Sequence, residues 1–475
     1  MPDQPEALPA GADHVTPYDR FAWSDTEVEQ LLATGAHAAD LTAFFGPEEY
    51  LDLAALARSV RARGAERAAR GGRGGSGSRS GRTAAAGSPT PVPQRVLILP
   101  GIMGSQLGLP RPPPLPRDLL WLDPADIAAG RLLLLKVATT GRIRPCGVVL
   151  YSYLRLKLHL RAAGFDAAFH DYDWRLGVDE LGCQLAQRLD AEPGELALVG
   201  HSMGGMVCRA ALALPGAARV RRVVLLGAPN AGSFACVQAL RGTYPVVRKL
   251  ARLDVRNSAE HLAGAVFSSF PSLHHMLPLA TQLDLLDPDA WPTSGPRPSP
   301  ELLRSARTVP GLLAGADERF ACVVGVGRDT VTGVTRRGDD FLYTVTRLGD
   351  GTVPVASARL AGARTYYARV AHGDLTRDAG VARAVADLLR TGSTRRLTQR
   401  WSPRSRAVGH ITDRALRGTH LGKVDFGQLT PEQRRRYLES LNEPPQLTLK
   451  VPPRAAAPRK RPRAGRVRPA RAPPH

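Results

Sequence analysis

Short apolar runs alternate with segments of helical character through the middle of the chain. Each run spans four to six residues and is bounded by glycine, proline or polar residues, a pattern typical of buried strands. Segments such as 206–212 and 375–390 have the character of helices that follow such strands. Strands that alternate with helices favour an α/β fold, with a mostly parallel central sheet and helices on both faces. The predicted strands are residues 96–99, 195–198, 222–226, 320–324, 341–346 and 365–368.

The turn after the second of these strands has the sequence Gly200-His201-Ser202-Met203-Gly204. A G-x-S-x-G sequence between a strand and a helix is typical of a nucleophile elbow, although an ordinary strand–helix turn can carry the same string. The turn is so tight that side chains in place of the two glycines would meet neighbouring backbone. The helix N-terminus beneath the serine favours negative charge there. The context therefore predicts Ser202 as a nucleophile.

A serine nucleophile needs a neighbouring base, and the base needs a carboxylate that orients it. In an elbow of this kind the partners follow in the order serine, aspartate or glutamate, histidine. Asp350 follows the predicted strand 341–346 and His372 follows the predicted strand 365–368, so they are predicted as the orienting acid and the base. Taken singly, Asp350 could be a turn residue and His372 a surface histidine. Three other acids fit less well, because two begin a strand and one is placed to cap the final helix: Asp339, Asp340 and Asp374.

An ester-cleaving site of this type also needs two backbone N–H groups that stabilise an oxyanion. One is expected from Met203, directly after the nucleophile, and the other from the loop that follows the first predicted strand. Gly101 and Gly104 in that loop let the backbone approach a substrate closely. Ile102 is the favoured second donor, with Met103 as the alternative.

A series of segments in this order resembles lecithin:cholesterol acyltransferase and its lipase-like relatives. The most specific part is Pro100-Gly101-Ile102-Met103-Gly104-Ser105 combined with Tyr172-Asp173-Trp174-Arg175. The resemblance covers about residues 94–392. The segments that carry it are 99–105, 120–124, 172–175, 200–205, 227–233, 271–273 with 277–278, 349–354 and 371–372.

The resemblance implies an α/β-hydrolase fold and acyl-ester chemistry, often on glycerolipids or phospholipids. Carried over, Ser202 is the nucleophile, His372 the base and Asp350 its orienting acid, while Ile102 and Met203 are the oxyanion donors. Some members of this family pass the acyl group to an alcohol instead of water. The expected activity is therefore serine-dependent lipid ester hydrolysis or O-acyl transfer through an acyl-enzyme, with no cofactor and no metal. The alternatives are a short-chain carboxylesterase with the same triad and a non-enzymatic scaffold.

A long insertion separates the nucleophile from the acid. Residues 233–312 lie between two predicted strands and are rich in leucine, phenylalanine and proline. Insertions at the carboxyl ends of the strands cover the active site in open α/β sheets, so this segment is predicted as a cap. Five apolar residues of the cap could line an acyl pocket or could equally form the cap's own core: Phe267, Phe270, Leu273, Met276 and Leu277.

The formal net charge of +21 is concentrated in two arginine-rich stretches, 58–82 and 451–475. Their composition predicts disorder. They could bind an anionic membrane surface, which is favoured over nucleic acid for a lipid-active enzyme, or have no specific partner.

The sequence contains no run of 18 apolar residues, so no membrane-spanning helix is predicted. The N-terminus lacks the apolar region of a signal peptide and the five cysteines are scattered, which predicts a cytoplasmic protein with reduced thiols that could also be peripheral at a membrane.

Helix signals flank the predicted hydrolase domain on both sides. Ser24 and Glu27 form a capping-box sequence, Pro47 is a good first-turn residue, and Thr430-Pro431 begins a further short helix. The predicted division is 1–20 disordered, 21–65 helical arm, 66–93 disordered linker, 94–395 hydrolase domain, 396–450 extension with a short helix, and 451–475 disordered basic tail.

Overall fold

A computed structural model describes residues 23–72, 93–112, 117–137, 142–279, 281–403, 407–419 and 422–441. The segments predicted as disordered over 1–20 and 451–475, and most of the predicted linker, lie outside these ranges. Among the described residues, no helix is long and apolar enough to cross a membrane.

The strands and helices alternate through the core of the chain as the apolar pattern predicted. The strands are β1 (Arg95–Leu99), β2 (Ser105–Leu109), β3 (Asp118–Trp121), β4 (Arg144–Val148), β5 (Asp166–Phe169), β6 (Leu196–His201), β7 (Val220–Leu226), β8 (Phe320–Gly325), β9 (Thr330–Arg337), β10 (Asp340–Thr346), β11 (Arg364–Ala368) and β12 (Gly409–Thr412). The helices are α1 (Asp25–Thr34), α2 (Ala38–Phe45), α3 (Pro47–Gly72), α4 (Pro124–Ala128), α5 (Leu150–Ala162), α6 (Val178–Ala191), α7 (Met203–Leu212), α8 (Phe234–Leu240), α9 (Pro245–Leu253), α10 (Ala259–Ala265), α11 (Pro271–His275), α12 (Pro300–Ala306), α13 (Val355–Ala358), α14 (Ala379–Thr391), α15 (Asp413–Gly418) and α16 (Pro431–Ser440).

The central sheet has six strands in the order β11-β8-β7-β6-β1-β5. Every neighbouring pair in it is parallel, so the predicted mostly parallel sheet is confirmed. The predicted strand over 341–346 is β10, which pairs with β9 and β12 in a separate antiparallel sheet. Edge strand β5 was not predicted, because its four residues, two of them alanine, give little apolar signal.

Helices cover both faces of the central sheet. One face packs against α6 and α7, through side chains such as Leu185 and Val207. The other face packs against α5 and α14, through side chains such as Leu156 and Val385. Both clusters exclude water from the sheet, so its parallel strands are buried on both sides, as parallel sheets require.

The helical arm packs on the outer side of α5. Its apolar residues, including Leu32 and Leu53, form a cluster with Leu154 and Leu158. The predicted capping box at Ser24 is present, and α1 ends at Thr34 with Gly35 as its left-handed cap. The predicted boundary between arm and linker at residue 65 is wrong, because α3 continues to Gly72. Alanine and arginine favour helix at these positions, and the Arg67 guanidinium donates a hydrogen bond to the Gly164 carbonyl at 3.1 Å.

The C-terminal extension is tied to the cap and to β10. Strand β12 pairs antiparallel with β10. Asp413 at the start of α15 accepts hydrogen bonds from Arg241 Nε of the cap at 2.7 Å and from Tyr343 Oη of β10 at 2.6 Å. Arg241 and Asp413 are both fully buried. A buried ion pair of this kind fixes where the extension docks, because leaving either charge alone in the interior is costly.

Candidate active site

Ser202 lies at the turn between β6 and α7, with φ of 52° and ψ of −126°. At positions 200 and 204 there is no room for any side chain, so only glycine fits. A Cβ at Gly200 would lie 2.7 Å from the Gly204 carbonyl oxygen, and a Cβ at Gly204 would lie 2.5 Å from the Pro100 carbonyl oxygen. The close approach of α7 to β1 and β6 therefore forces the serine into this sparsely populated conformation, which stores strain at the turn.

His372 and Asp350 are hydrogen-bonded to each other. His372 Nδ1 donates to Asp350 Oδ2 at 2.8 Å, and Asp350 is almost fully buried. The other carboxylate oxygen of Asp350 accepts from the backbone N–H groups of Thr352 at 2.9 Å and Val353 at 2.7 Å. The acid is thus fixed from one side while it holds the imidazole from the other. With Nδ1–H committed to Asp350, His372 keeps its Nε2 lone pair free to accept a proton.

Ser202 and His372 line the same cavity, together with Ile102 and Met103 of the early loop. Met203, the other predicted oxyanion donor, is the first residue of α7, directly after Ser202. Of the three competing acids, Asp339 lies in the turn before β10, Asp340 begins β10, and Asp374 ends the short 3-10 helix that His372 begins. The prediction that Asp374 caps the helix after His372 is wrong, because Asp374 does not cap α14. That cap is Asp378, whose Oδ1 accepts from the Val381 N–H at 2.8 Å, because α14 begins later than the apolar pattern suggested.

The loop that carries Ile102 is braced by aromatic side chains. Tyr172 Oη donates to the Pro100 carbonyl at 2.5 Å, and Trp121 Nε1 donates to the Met103 carbonyl at 2.8 Å. Met103 has a left-handed backbone, with φ of 63°. The Tyr-Asp-Trp-Arg motif is therefore structural here, because its tyrosine fixes the loop that faces Ser202.

Two buried residues that the sequence analysis did not single out connect this loop to His372. The Gly101 N–H donates to Tyr153 Oη at 2.8 Å, and Tyr153 Oη lies 3.0 Å from His201 Nδ1. His201 Nε2 lies 3.0 Å from the His372 carbonyl oxygen, which only accepts, so Nε2 carries the proton. Burial lowers the pKa of His201 to about 3, so the ring is neutral and Nδ1 accepts from the tyrosine hydroxyl. No local sequence pattern distinguishes Tyr153 from the other apolar residues of α5.

Replacing Tyr153 by phenylalanine removes the acceptor of the Gly101 N–H and the partner of His201. We expect kcat for ester hydrolysis to fall roughly 10- to 100-fold with little change in KM, because displacements near 1 Å in a reacting site have effects of that size. Tyr366→Phe is the matched control, since the Tyr366 hydroxyl is buried without a hydrogen-bond partner among the described residues. A Tyr153→Phe enzyme with unchanged kcat would show that this connection does not position the site.

The cavity in front of Ser202 is small, with a volume of about 110 Å³. Its apolar walls come from the early loop, β3, α5, the start of the cap and the C-terminal extension: Ile102, Trp121, Val149, Tyr244, Val246 and Leu441. The five cap residues weighed as an acyl pocket are instead buried in the main core, where the Phe270 ring contacts those of Trp174 and Phe267. They are not among the residues that line this cavity.

Comparison with protein families supports the architecture. A family model described as the alpha/beta hydrolase fold matches residues 187–295, which include β6, the turn at Ser202 and α7. Together with the parallel sheet and the helices on both of its faces, this match confirms the predicted α/β-hydrolase fold. Curated protein sequences give no significant match to the chain.

Several solved structures are similar to the chain at low identity. The Tle4–Tli4 complex matches at 15% identity over 64% of this chain and 100% of that chain, with a TM-score of 0.42. The mature lipase BlEst2 of Bacillus licheniformis matches at 14% identity over 66% of this chain and 96% of that chain, with a TM-score of 0.32. An extracellular alpha/beta-hydrolase from a Paenibacillus species matches at 13% identity over 64% of this chain and 100% of that chain, with a TM-score of 0.27. Likenesses this distant say nothing about which molecules this chain binds or cleaves.

Proposed function

We propose that this protein is a serine-dependent hydrolase of carboxylic esters that works through an acyl-enzyme on Ser202. The observation that carries the proposal is the Asp350–His372 hydrogen bond beside a serine held in a strained elbow on the same cavity. An imidazole with its Nδ1–H on a buried carboxylate is the arrangement of a general base.

The reaction has two steps of the same kind. Ser202 Oγ forms a bond to the ester carbonyl carbon while its proton moves to His372 Nε2. The carbonyl oxygen becomes an oxyanion, which the backbone N–H groups of Met203 and Ile102 stabilise. The C–O bond to the alcohol then breaks, and the departing alcohol takes the proton from His372. Water repeats the sequence on the acyl-enzyme, releasing the acid and restoring Ser202.

The acyl part of the substrate is apolar, because apolar side chains form most of the cavity walls. The sequence resemblance favours glycerolipid or phospholipid esters, whereas the cavity volume of about 110 Å³ favours a short acyl group. Both substrate classes use the same chemistry at Ser202. An acceptor alcohol in place of water in the second step would make the same site an O-acyltransferase.

The proposal is tested by covalent labelling and by turnover of one ester series. An alkyl fluorophosphonate should add one equivalent to the protein, and peptide mapping should place it on Ser202. Hydrolysis of p-nitrophenyl esters from acetate to palmitate should follow the unlabelled fraction and stop when labelling is complete. A label on another residue, or full turnover by the labelled protein, would refute the assignment, and the absence of both label and turnover would favour the non-enzymatic scaffold.

A further inference from the structure

The C-terminal extension supplies one wall of the candidate catalytic cavity. Leu441, directly after α16, lines the cavity that Ser202 and His372 also line, and its side chain is only 4% exposed. It is about 70 residues beyond His372 along the chain and lies outside both the central sheet and the cap. The hydrolase domain alone therefore does not form the whole cavity.

The segment that holds Leu441 is attached by polar contacts and by the half-buried side chains of Tyr437 and Leu438, which pack against the main core. Tyr437 Oη donates to the Lys249 carbonyl of α9 at 2.7 Å, and Lys249 Nζ donates to the Ser440 carbonyl. Tyr151 Oη of α5 contacts the Leu438 carbonyl at 3.4 Å. Helix α16 itself buries none of its residues. Leu441 is thus more deeply buried than any residue of α16.

The other walls are built into the core. Trp121 and Tyr153 are 3% and 4% exposed and belong to β3 and α5, which pack within the domain. The loop with Ile102 is braced by Tyr172 and Trp121. Segments with few buried apolar contacts open at lower free energy than core elements. Because α16 buries none of its own residues, the wall formed by Leu441 is expected to yield to a substrate more readily than the walls formed by β3 and α5.

The volume of the cavity limits the size of the acyl group that fits while Leu441 stays in place. At about 110 Å³ it is smaller than the cavity of about 150 Å³ that is known to accept a benzene molecule. Sites for larger ligands usually have volumes of about 300–1,000 Å³. A short acyl group fits this volume with Leu441 in place, whereas a long acyl chain exceeds it.

We propose that Leu441 is a specificity-determining residue that limits the length of the acyl chain at Ser202. This inference rests on the proposed ester hydrolysis. A smaller side chain at 441 opens the cavity to longer chains, and a larger one closes it further. Weakening the contacts of α16 is also expected to favour longer acyl chains, because Leu441 then moves away from the cavity more easily.

The test compares the ratio of kcat/KM for p-nitrophenyl octanoate to that for p-nitrophenyl acetate in four variants. We expect Leu441→Ala to raise this ratio about 10-fold, Tyr437→Phe to raise it by a smaller factor, and Leu441→Trp to lower it about 10-fold. Leu429→Ala is the control, because Leu429 lies in the same extension, is half-buried and does not line the cavity. A ratio equal to that of wild type in both Leu441 variants would overturn the inference while leaving serine-dependent hydrolysis intact.

A second measurement does not depend on turnover. In a Ser202→Ala background, the affinity for a fluorescent C18 fatty acid is measured by titration with and without Leu441→Ala. We expect the double variant to bind at least about 10-fold more tightly than the single variant. Equal affinities would refute the role of Leu441 as a wall, whether or not any ester is hydrolysed.

Discussion

Replacing Ser202 by alanine is expected to lower kcat for ester hydrolysis by about 10⁴- to 10⁶-fold, the range seen when a member of such a triad is removed. In the proposed mechanism the alanine lacks the oxygen that forms the acyl-enzyme, so His372 has no proton to accept. Substrate binding should change little, because the hydroxyl contributes little to the cavity wall. The measurement is single-turnover hydrolysis of the p-nitrophenyl ester that wild type prefers, followed over hours to resolve the residual rate.

Ser272→Ala provides the matched control for this prediction. Ser272 is also fully buried, and its hydroxyl has no hydrogen-bond partner among the described residues. Removing an unpartnered hydroxyl is close to neutral for stability, and Ser272 does not line the cavity. Wild-type turnover is expected. If Ser202→Ala retained even a tenth of the wild-type rate while folded, the nucleophile would have to be another group.

Replacing Asp413 by alanine is expected to lower the free energy of unfolding by about 3–5 kcal/mol, the cost of leaving one member of a buried ion pair alone. Asp413 accepts from Arg241 Nε, Tyr343 Oη and Thr243 Oγ1. Without it, the fully buried Arg241 guanidinium keeps backbone carbonyl partners, such as those of Pro296 and Ser294, and the Phe341 ring, but no counter-charge among the partners described for it. Urea unfolding followed by circular dichroism measures the change.

An exposed ion pair on α16 provides the control for the Asp413→Ala prediction. Glu432 and Arg436 on α16 are paired, but their side chains are 61% and 71% exposed. Glu432→Ala is therefore expected to change the free energy of unfolding by less than about 0.5 kcal/mol, as exposed pairs on helices usually do. If the two variants had the same small effect, the buried pair would not determine where the extension docks.

Local sequence was sufficient to locate the elbow and the strands that lead into it. The glycines at 200 and 204 and the apolar run before Ser202 reflect constraints that act within a few residues. The order of Ser202, Asp350 and His372 instead follows the order of partners that an elbow of this kind implies. The loops with Asp350 and His372 follow predicted strands, and the structure places both at one end of the sheet with a direct hydrogen bond between them. Their catalytic roles remain part of the proposed function.

Contacts between segments that are distant along the chain could not be predicted from local sequence. Leu441 looks like any leucine at the end of a short helix, and nothing near it in sequence indicates that it lines the cavity. The apolar residues of the cap presented the opposite problem, because Phe267 and Phe270 have the composition of either a pocket or a core. Only the packing of Phe270 against Trp174 distinguishes the two. Tyr153 and His201 likewise connect Gly101 to His372 only because α5 and β6 pack next to the loops that carry those two residues.

The position of Leu441 has a consequence for the protein as it is synthesised. Chains emerge from the ribosome with the N-terminal part first, and domains begin to fold as they emerge. Ser202, Asp350 and His372 are all present once residue 372 has been added, whereas Leu441 and the Asp413 partner of Arg241 come later. A nascent chain that folds as it emerges is therefore expected to bring these three residues together before Leu441 is in place. The wall that Leu441 adds is therefore completed only in the last part of translation.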